Sequence, residues 1–257
     1  MPFHDKRYQQ FDRTSLPVTA LAEDYDDGYR TPTHHHPNAQ LMHAVRGVMV
    51  VNTERGQWIV PPARGLWIPA GIEHAIRMVG EVHMRTAFIR HDAAPDIPQQ
   101  CVVLKISALL RELILAAIEI PLPYSNDSRD GRVMQLILDE IKHLPSLPLH
   151  LPLPSDARLL QICSALTDTP DDATTLDVWA QRLQINPKTV QRLFMRETGM
   201  TFGQWRMQAR LLVALERLGS GAKVIDVAFD MGYESPNAFA TMFKKQFGVT
   251  PSQFFKS

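Results

Sequence analysis

Between residues 18 and 92 the chain alternates apolar and polar positions in short runs. PVTALAEDY, QLMHAVRG, VMVVNT, QWIVPP, GLWIPAG, HAIRM and VHMRTAFIR follow one another, parted by Gly, Pro or Asn. A period of two sends successive side chains to opposite faces, and the runs are rich in Val, Ile, Trp and Met. The pattern predicts about seven short strands in a small barrel or sandwich. Residues 1–17 are polar and read as a loose arm.

After Ala93 the period lengthens. In SALLRELILAAIEI, Ser107 is a cap, and Leu109, Leu110, Leu113, Ile114, Ala117 and Ile118 form a wide apolar stripe. In DGRVMQLILDEIKHL, Val133, Leu136, Ile137, Glu140, Ile141 and Leu144 share one side. This helical pair, at about 107–144, holds more apolar surface than two helices need. Part of it covers the strands, and the remainder is a candidate homodimer seam. Trp67 and Arg85 are candidates for lining the interior of the strand domain. Residues 1–145 are thus predicted to be one domain, with its barrel at about 18–92.

Residues 146–155 are rich in Pro and Leu and read as a stiff linker. DARLLQICSAL then opens a helical domain over 156–257. Here a short pattern occurs twice: NPKTVQRLFMRETGM from Asn186, and SPNAFATMFKKQFGV from Ser235, 49 positions later. Asn186 and Ser235 are N-caps, and Pro187 and Pro236 occupy the first helical position. Val190, Leu193 and Phe194 form one buried stripe; Phe239, Met242 and Phe243 form the other. Each copy follows a short amphipathic segment, TLDVWAQRL or VIDVAFDMG, with Ala180 or Ala228 as a small contact residue. Two helix-turn-helix motifs result, at about 176–197 and 224–247. The stretch between them, capped by Thr201 and stopped by Gly219 and Gly221, predicts a helix of about 25 Å. A strut of that size holds two such motifs about one DNA turn apart, roughly 34 Å.

The outward positions suit a major groove. The first copy presents Lys188, Thr189, Gln191, Arg192 and Arg196; the second presents Pro236, Asn237, Ala240, Thr241 and Lys244. Arg pairs bidentately with guanine, Gln or Asn with adenine, and Ala or Thr methyls meet thymine methyl. From Val178 onward there are 11 Lys/Arg against 5 Asp/Glu, a balance that suits phosphate contacts although the whole chain is neutral. RLFMRETGMTFGQWRMQARLLVALERL and DVAFDMGYESPNAFATMFKKQFGVTPSQF resemble the DNA-binding domain of the AraC/XylS family of bacterial transcription regulators. The resemblance implies base contacts by Lys188, Gln191, Arg192, Asn237, Ala240 and Thr241. Pro236 and Ala240 are apolar where many members are polar.

All ten histidines lie between His4 and His150. Residues 28–47 give G-x5-H-x-H-x3-Q-x6-G, and 69–74 give P-x-G-x2-H. These resemble the two metal motifs of cupins, with Gln40 where that family has Glu and Met78 where it has Asn. The resemblance implies His34, His36 and His74, with the Gln40 oxygen, as ligands to a divalent metal, and imidazole suits Zn, Ni or Fe. The same histidines can instead hydrogen-bond a small ligand or satisfy one another. His35 is expected at the surface, and His43 and His83 as ordinary strand residues.

Cys101 and Cys163 are the sole cysteines; they fall in segments read as helical and in different domains, against a structural disulfide. No signal-like leader or membrane-length apolar run is present, which predicts a cytoplasmic protein with no membrane partner. The fold expected is two-domain α+β: a cupin-like barrel or sandwich with a helical pair, then an all-α domain with two helix-turn-helix motifs joined by a long helix. The function expected is a one-component regulator that binds promoter or operator duplex DNA and a small-molecule effector. The resemblance further implies a homodimer with RNA polymerase as a candidate partner, acting as activator or repressor. Two alternatives stand beside it: a metal-dependent cupin enzyme carrying a DNA-binding domain, and a constitutive DNA-bending protein.

Overall fold

The structure is a computed structural model of the chain and describes residues 10–94 and 98–255. It divides into two compact units, residues 1–53 with 58–149, and residues 54–57 with 150–257.

The first unit is built on a sheet whose strands run β1 (Val18–Tyr25), β2 (Ala39–Thr53), β3 (Gly56–Val60), β4 (Arg64–Ile68), β5 (Ala75–Ile89) and β6 (Val102–Lys105). The short β7 (Ser146–Leu147) and β8 (His150–Pro152) follow the helices. The path through the sheet is β1-β5-β2-β4-β6-β7, with β3 paired to β2. Four of the expected strands merge into two. QLMHAVRG and VMVVNT are the halves of β2, and HAIRM and VHMRTAFIR the halves of β5, each 15 residues long. The break that the alternation suggested is a bulge: the β2–β5 register shifts between Ala44 and Val48. Gly47 sits there at φ 73, and a Cβ on it would lie 2.5 Å from the Glu81 carbonyl oxygen. A bulge of this kind bends the strand and increases its twist.

Register sorts the side chains into two faces. Leu41 pairs with Ala87 and with Trp67, and all three join Val18, Ala20, Ile89 and Leu104 under two helices. These are α1 (Ala108–Ile118) and α2 (Arg129–Lys142). Ser107 caps α1 by accepting from the Leu110 amide, and its hydroxyl donates to Glu140 on α2 at 2.9 Å. Leu110, Leu113, Ile114 and Ala117 of α1 meet Met134, Ile137, Leu138 and Ile141 of α2 in the same core. Each large apolar side chain so buried stabilises by about 1.5–3 kcal/mol. Leu109 and Leu136 of the same apolar stripes are 48% and 40% exposed, the part of that surface left uncovered by the strands. The other face of the sheet is dry as well. Gln40, Met42, Leu66, Ile68 and Phe88 are each 2% exposed or less, so the strands curl around an interior of their own.

Cys101 is not helical: it precedes β6 in irregular chain, while Cys163 lies buried in a helix. The arm expected over 1–17 is not loose where it is described. Asp12 is 7% exposed, its backbone oxygen accepts from Asn38 Nδ2 at 2.7 Å, and the Phe11 oxygen accepts from Thr19. Residues 1–9 lie outside the described residues.

The second unit is helical. It contains α3 (Ala157–Asp168), α4 (Leu176–Arg182), α5 (Pro187–Thr198), α6 (Phe202–Gly219), α7 (Val224–Asp230), α8 (Pro236–Phe247) and α9 (Pro251–Phe254). The long α6 opens with a reciprocal capping box between Thr201 and Gln204 and runs through the core, with Trp205, Ala209, Leu212 and Leu215 fully covered. Its Trp205 Nε1 donates to the Pro152 oxygen at 2.7 Å and its Gln208 to the His150 oxygen at 3.1 Å. The segment expected to be a linker is thus tied to α6 over residues 150–152.

Candidate nucleic-acid interface and histidine centre

The two sequence copies fold alike. The Asn186 side chain accepts from the Lys188 amide at 2.8 Å, and Ser235 accepts from the Ala238 amide at 3.2 Å. Proline occupies the first turn of α5 and of α8. In each turn before the second helix an amide donates back to the buried alanine: Ile185 to Ala180 and Tyr233 to Ala228, both at 3.0 Å. Just ahead of each donor stands a residue with left-handed backbone, Gln184 at φ 55 and Gly232 at φ 77. Both second helices end on a glycine, Gly199 and Gly248, at positive φ. A helix pair joined by an alanine-anchored turn is thereby built twice from different residues.

The faces are also as the periodicity predicts. Val190, Leu193 and Phe194 are buried behind α5, and Phe239 and Phe243 behind α8; Met242 is half-buried. On the front of α5, Lys188, Arg192 and Arg196 are exposed and Thr189 and Gln191 half-exposed. On the front of α8, Asn237, Thr241 and Lys244 are exposed and Pro236 and Ala240 half-exposed. Arg196 donates to Glu197 at 2.7 Å, which holds that carboxyl below the usual carboxylate range. Lys188 and Arg192 have no ion-pair partner among the described residues. An unpaired guanidinium on a rigid helix is available to a base or a phosphate without first breaking a bond.

In the first unit, His34 and His74 exchange backbone hydrogen bonds, His34 N to His74 O at 2.9 Å and His74 N to His34 O at 2.8 Å. His34 and His36 therefore sit not on a regular strand but in the bridged segment that leads into β2. The ring of His34 lies 5.0 Å from that of His36 and 4.4 Å from that of His74. One ligand atom from each of the three falls within 4.8 Å of the others. Each Nδ1 faces an oxygen: Pro32 O at 2.9 Å for His34, Asp12 Oδ2 at 2.6 Å for His36, Ile72 O at 2.9 Å for His74. An Nδ1 that donates leaves Nε2 as the lone-pair atom, so the three rings share the tautomer that metal ligation requires. His74 Nε2 and Gln40 Oε1 are buried with no hydrogen-bond partner among the described residues. Burial pushes the imidazoles down, His34 to about 4 and His74, with the charge of His34 also acting, to about 3. Both are neutral at pH 7. The donor set fits a divalent ion of the Zn, Ni or Fe type. Gln40 pairs across the ladder with Phe88, whose ring is 5.0 Å from His36.

Asp12 is the member that the motifs did not reveal. It lies 24 residues from His36 in a segment with no apolar pattern, and the pairing is purely tertiary. Trp67 and Arg85 do not line the interior. Trp67 joins the helix-facing core and donates to Pro98 O at 2.8 Å, while Arg85 pairs with Asp24 at 2.8 Å on that same face. His35 is exposed, as expected, and His83 meets Glu81 at 3.2 Å. His43 is buried, with its Nδ1 on the Arg64 oxygen at 3.0 Å.

Comparison with known proteins matches a domain family to each part of the chain. A model of an AraC-like ligand binding domain matches residues 16–181, and a helix-turn-helix domain model matches residues 179–257. The HTH-type transcriptional regulator NimR of Escherichia coli strain K12 is 35% identical over 228 residues, 89% of this chain and 83% of NimR. RipA, an HTH-type transcriptional regulator of Corynebacterium glutamicum, is 30% identical over 103 residues, 40% of this chain and 31% of RipA. ToxT from Vibrio cholerae superposes over 93% of this chain and 98% of its own with a TM-score of 0.39 and 9% identity, too loose a match to carry an argument.

Proposed function

Since the chain belongs to the AraC family of transcription regulators, we propose that its two units divide the work between effector binding and operator reading. It is a DNA-binding transcription regulator with a cupin-like ligand-binding domain ahead of two helix-turn-helix motifs. In our reading Lys188, Thr189, Gln191, Arg192 and Arg196 on α5, and Pro236, Asn237, Ala240, Thr241 and Lys244 on α8, meet duplex DNA. The observation that carries this is the twofold repetition, 49 residues apart, of a buried apolar back and a solvent-facing front on which Lys188, Gln191, Arg192, Asn237 and Thr241 make no ion pair among the described residues. The test is duplex binding across a salt series. The reading requires a steep loss of affinity with salt, a log–log slope of about −0.9 per phosphate neutralised. If no segment near the protein's own gene is preferred over bulk DNA at moderate salt, the reading fails.

A small-molecule effector acts through the first unit. It shifts DNA binding only if it favours one arrangement of the protein over another. His34, His36 and His74, with the Gln40 oxygen, would hold a divalent metal there; when bound, the ion supplies a fixed positive charge and Lewis acidity to an effector's donor atoms. Asp12, Pro32 O and Ile72 O keep the three rings turned toward the shared point. The exposed Leu109, Leu115 and Leu136 on α1 and α2 suit a homodimer seam. Contact with RNA polymerase and a cytoplasmic location belong to the same reading; no helix among the described residues is long and apolar enough to cross a membrane.

The relatives are transcription regulators, so the chain is read as a non-enzyme. The three-histidine cluster favours a second reading, a metal-dependent cupin enzyme. The carboxylate hydrogen-bonded to the cluster, Asp12, is engaged with Nδ1 of His36. That placement suits a supporting role and not proton transfer to a substrate. Metal analysis followed by oxygen uptake with candidate substrates separates the two: stoichiometric metal without turnover favours the regulator.

A further inference from the structure

The internal repeat allows the two reading faces to be compared position by position, because the same backbone presents both. The caps Asn186 and Ser235, the prolines 187 and 236, and the C-terminal glycines 199 and 248 all stand 49 residues apart. In that frame Lys188 corresponds to Asn237, Gln191 to Ala240, and Arg192 to Thr241. At each of these three positions α5 offers a long polar side chain and α8 a shorter one.

Chemistry follows from length. Gln191 and Arg192 reach outward with paired donors or a donor and an acceptor; Arg fits guanine O6 and N7, and Gln fits adenine N6 and N7. Ala240 and Thr241 present methyl groups close to the helix axis, and in the major groove only thymine offers a methyl to meet them. Asn237 fits adenine, the partner of that thymine. None of these side chains is drawn into the protein: Arg192, Gln191, Asn237 and Thr241 form no side-chain hydrogen bond or ion pair among the described residues.

We propose, on the regulator reading above, that the operator is chemically divided: α5 reads a segment through guanine and adenine hydrogen bonds, and α8 reads a second segment through thymine methyls in A·T pairs. The division implies that the two segments respond to different base modifications. Replacing thymine by uracil deletes only the methyl, and replacing guanine by 7-deazaguanine deletes only the N7 acceptor. Neither change touches the phosphates.

The experiment uses the full chain and duplexes selected by it from a random pool. Arg192→Ala and Thr241→Ser assign each segment to its helix, since the variant loses preference in the segment it reads. Both residues are solvent-facing, and the DNA modifications need no variant at all. In the α8 segment, thymine-to-uracil exchange is expected to weaken binding about 4-fold per contacted methyl, and this loss is expected to shrink in Thr241→Ser. In the α5 segment, 7-deazaguanine is expected to weaken binding about 5- to 150-fold, with no further loss in Arg192→Ala. Equal sensitivity of both segments to both modifications overturns the proposal, as does a guanine requirement that tracks Thr241. Failure to select any sequence overturns the regulator reading instead, so the two failures are distinguishable.

Discussion

The Asp12 carboxylate stands 2.6 Å from Nδ1 of His36, and both groups are less than a tenth exposed. A carboxylate so placed fixes the ring's orientation and its tautomer. Asp12→Asn keeps the volume and removes the charge. It is expected to lower divalent-metal affinity about 10- to 100-fold, measured by competition with a chelator using Zn or Ni. An affinity equal to that of the unaltered chain would remove Asp12 from the site.

A second prediction concerns acid stability. Burial holds His43 below its ordinary imidazole value, partly offset by its hydrogen bond to the Arg64 oxygen. Above about pH 6.5 the group is neutral in folded and unfolded chains alike. Below that pH the unfolded chain gains a proton that the folded one resists, so stability falls. His43→Gln is expected to show a smaller fall between pH 7.5 and 5.5, read as the shift in urea midpoint. His34, His74 and His150 are lowered in the same direction and account for the slope that remains. A variant with the full slope would show that His43 is not responsible.

The bulge in β2 yields a third. Gly47→Ala places a methyl against the Glu81 carbonyl and on a left-handed backbone. A loss of at least about 1–3 kcal/mol is expected, measured by chemical denaturation. A change within error would mean that the β2–β5 ladder adjusts there freely.

The repeat supplies a fourth, in two halves. Gln184 and Gly232 occupy the same left-handed turn position of the two motifs. Gly232→Ala is expected to destabilise by about 1–2 kcal/mol, while Gln184→Gly is neutral or stabilising. Thermal melts of both variants check the pair. A destabilised Gln184→Gly would mean that this side chain contributes something beyond its strain.

How far these features were legible follows from their range. The caps, prolines and apolar stripes of α5, α6 and α8 depend on neighbours within one or two turns, so the sequence displays them directly. The histidines were legible because a short spacing put two of them on one segment. Asp12 was not, since nothing local marks a carboxylate whose partner is 24 residues away. The alternation of Trp67 and Arg85 does not tell which face they take, because face is a matter of register, and the pairing of Leu41 with Trp67 and Ala87 is visible only in the ladder. The merged strands mislead for a related reason. Gly47 resembles a turn in sequence but bends a strand that continues through it. Periodicity locates the apolar stripes of α1 and α2 without saying which of their residues a single chain covers, and Leu109 and Leu136 are among those left exposed.

The most direct test of the account is a hydroxyl-radical footprint of the full chain on a selected duplex, beside footprints of Arg192→Ala and Thr241→Ala. The account predicts protection around two successive major grooves on one face, about 10 base pairs apart, with each variant weakening protection at a different one. A single protected segment, or a footprint that neither variant alters, would contradict it.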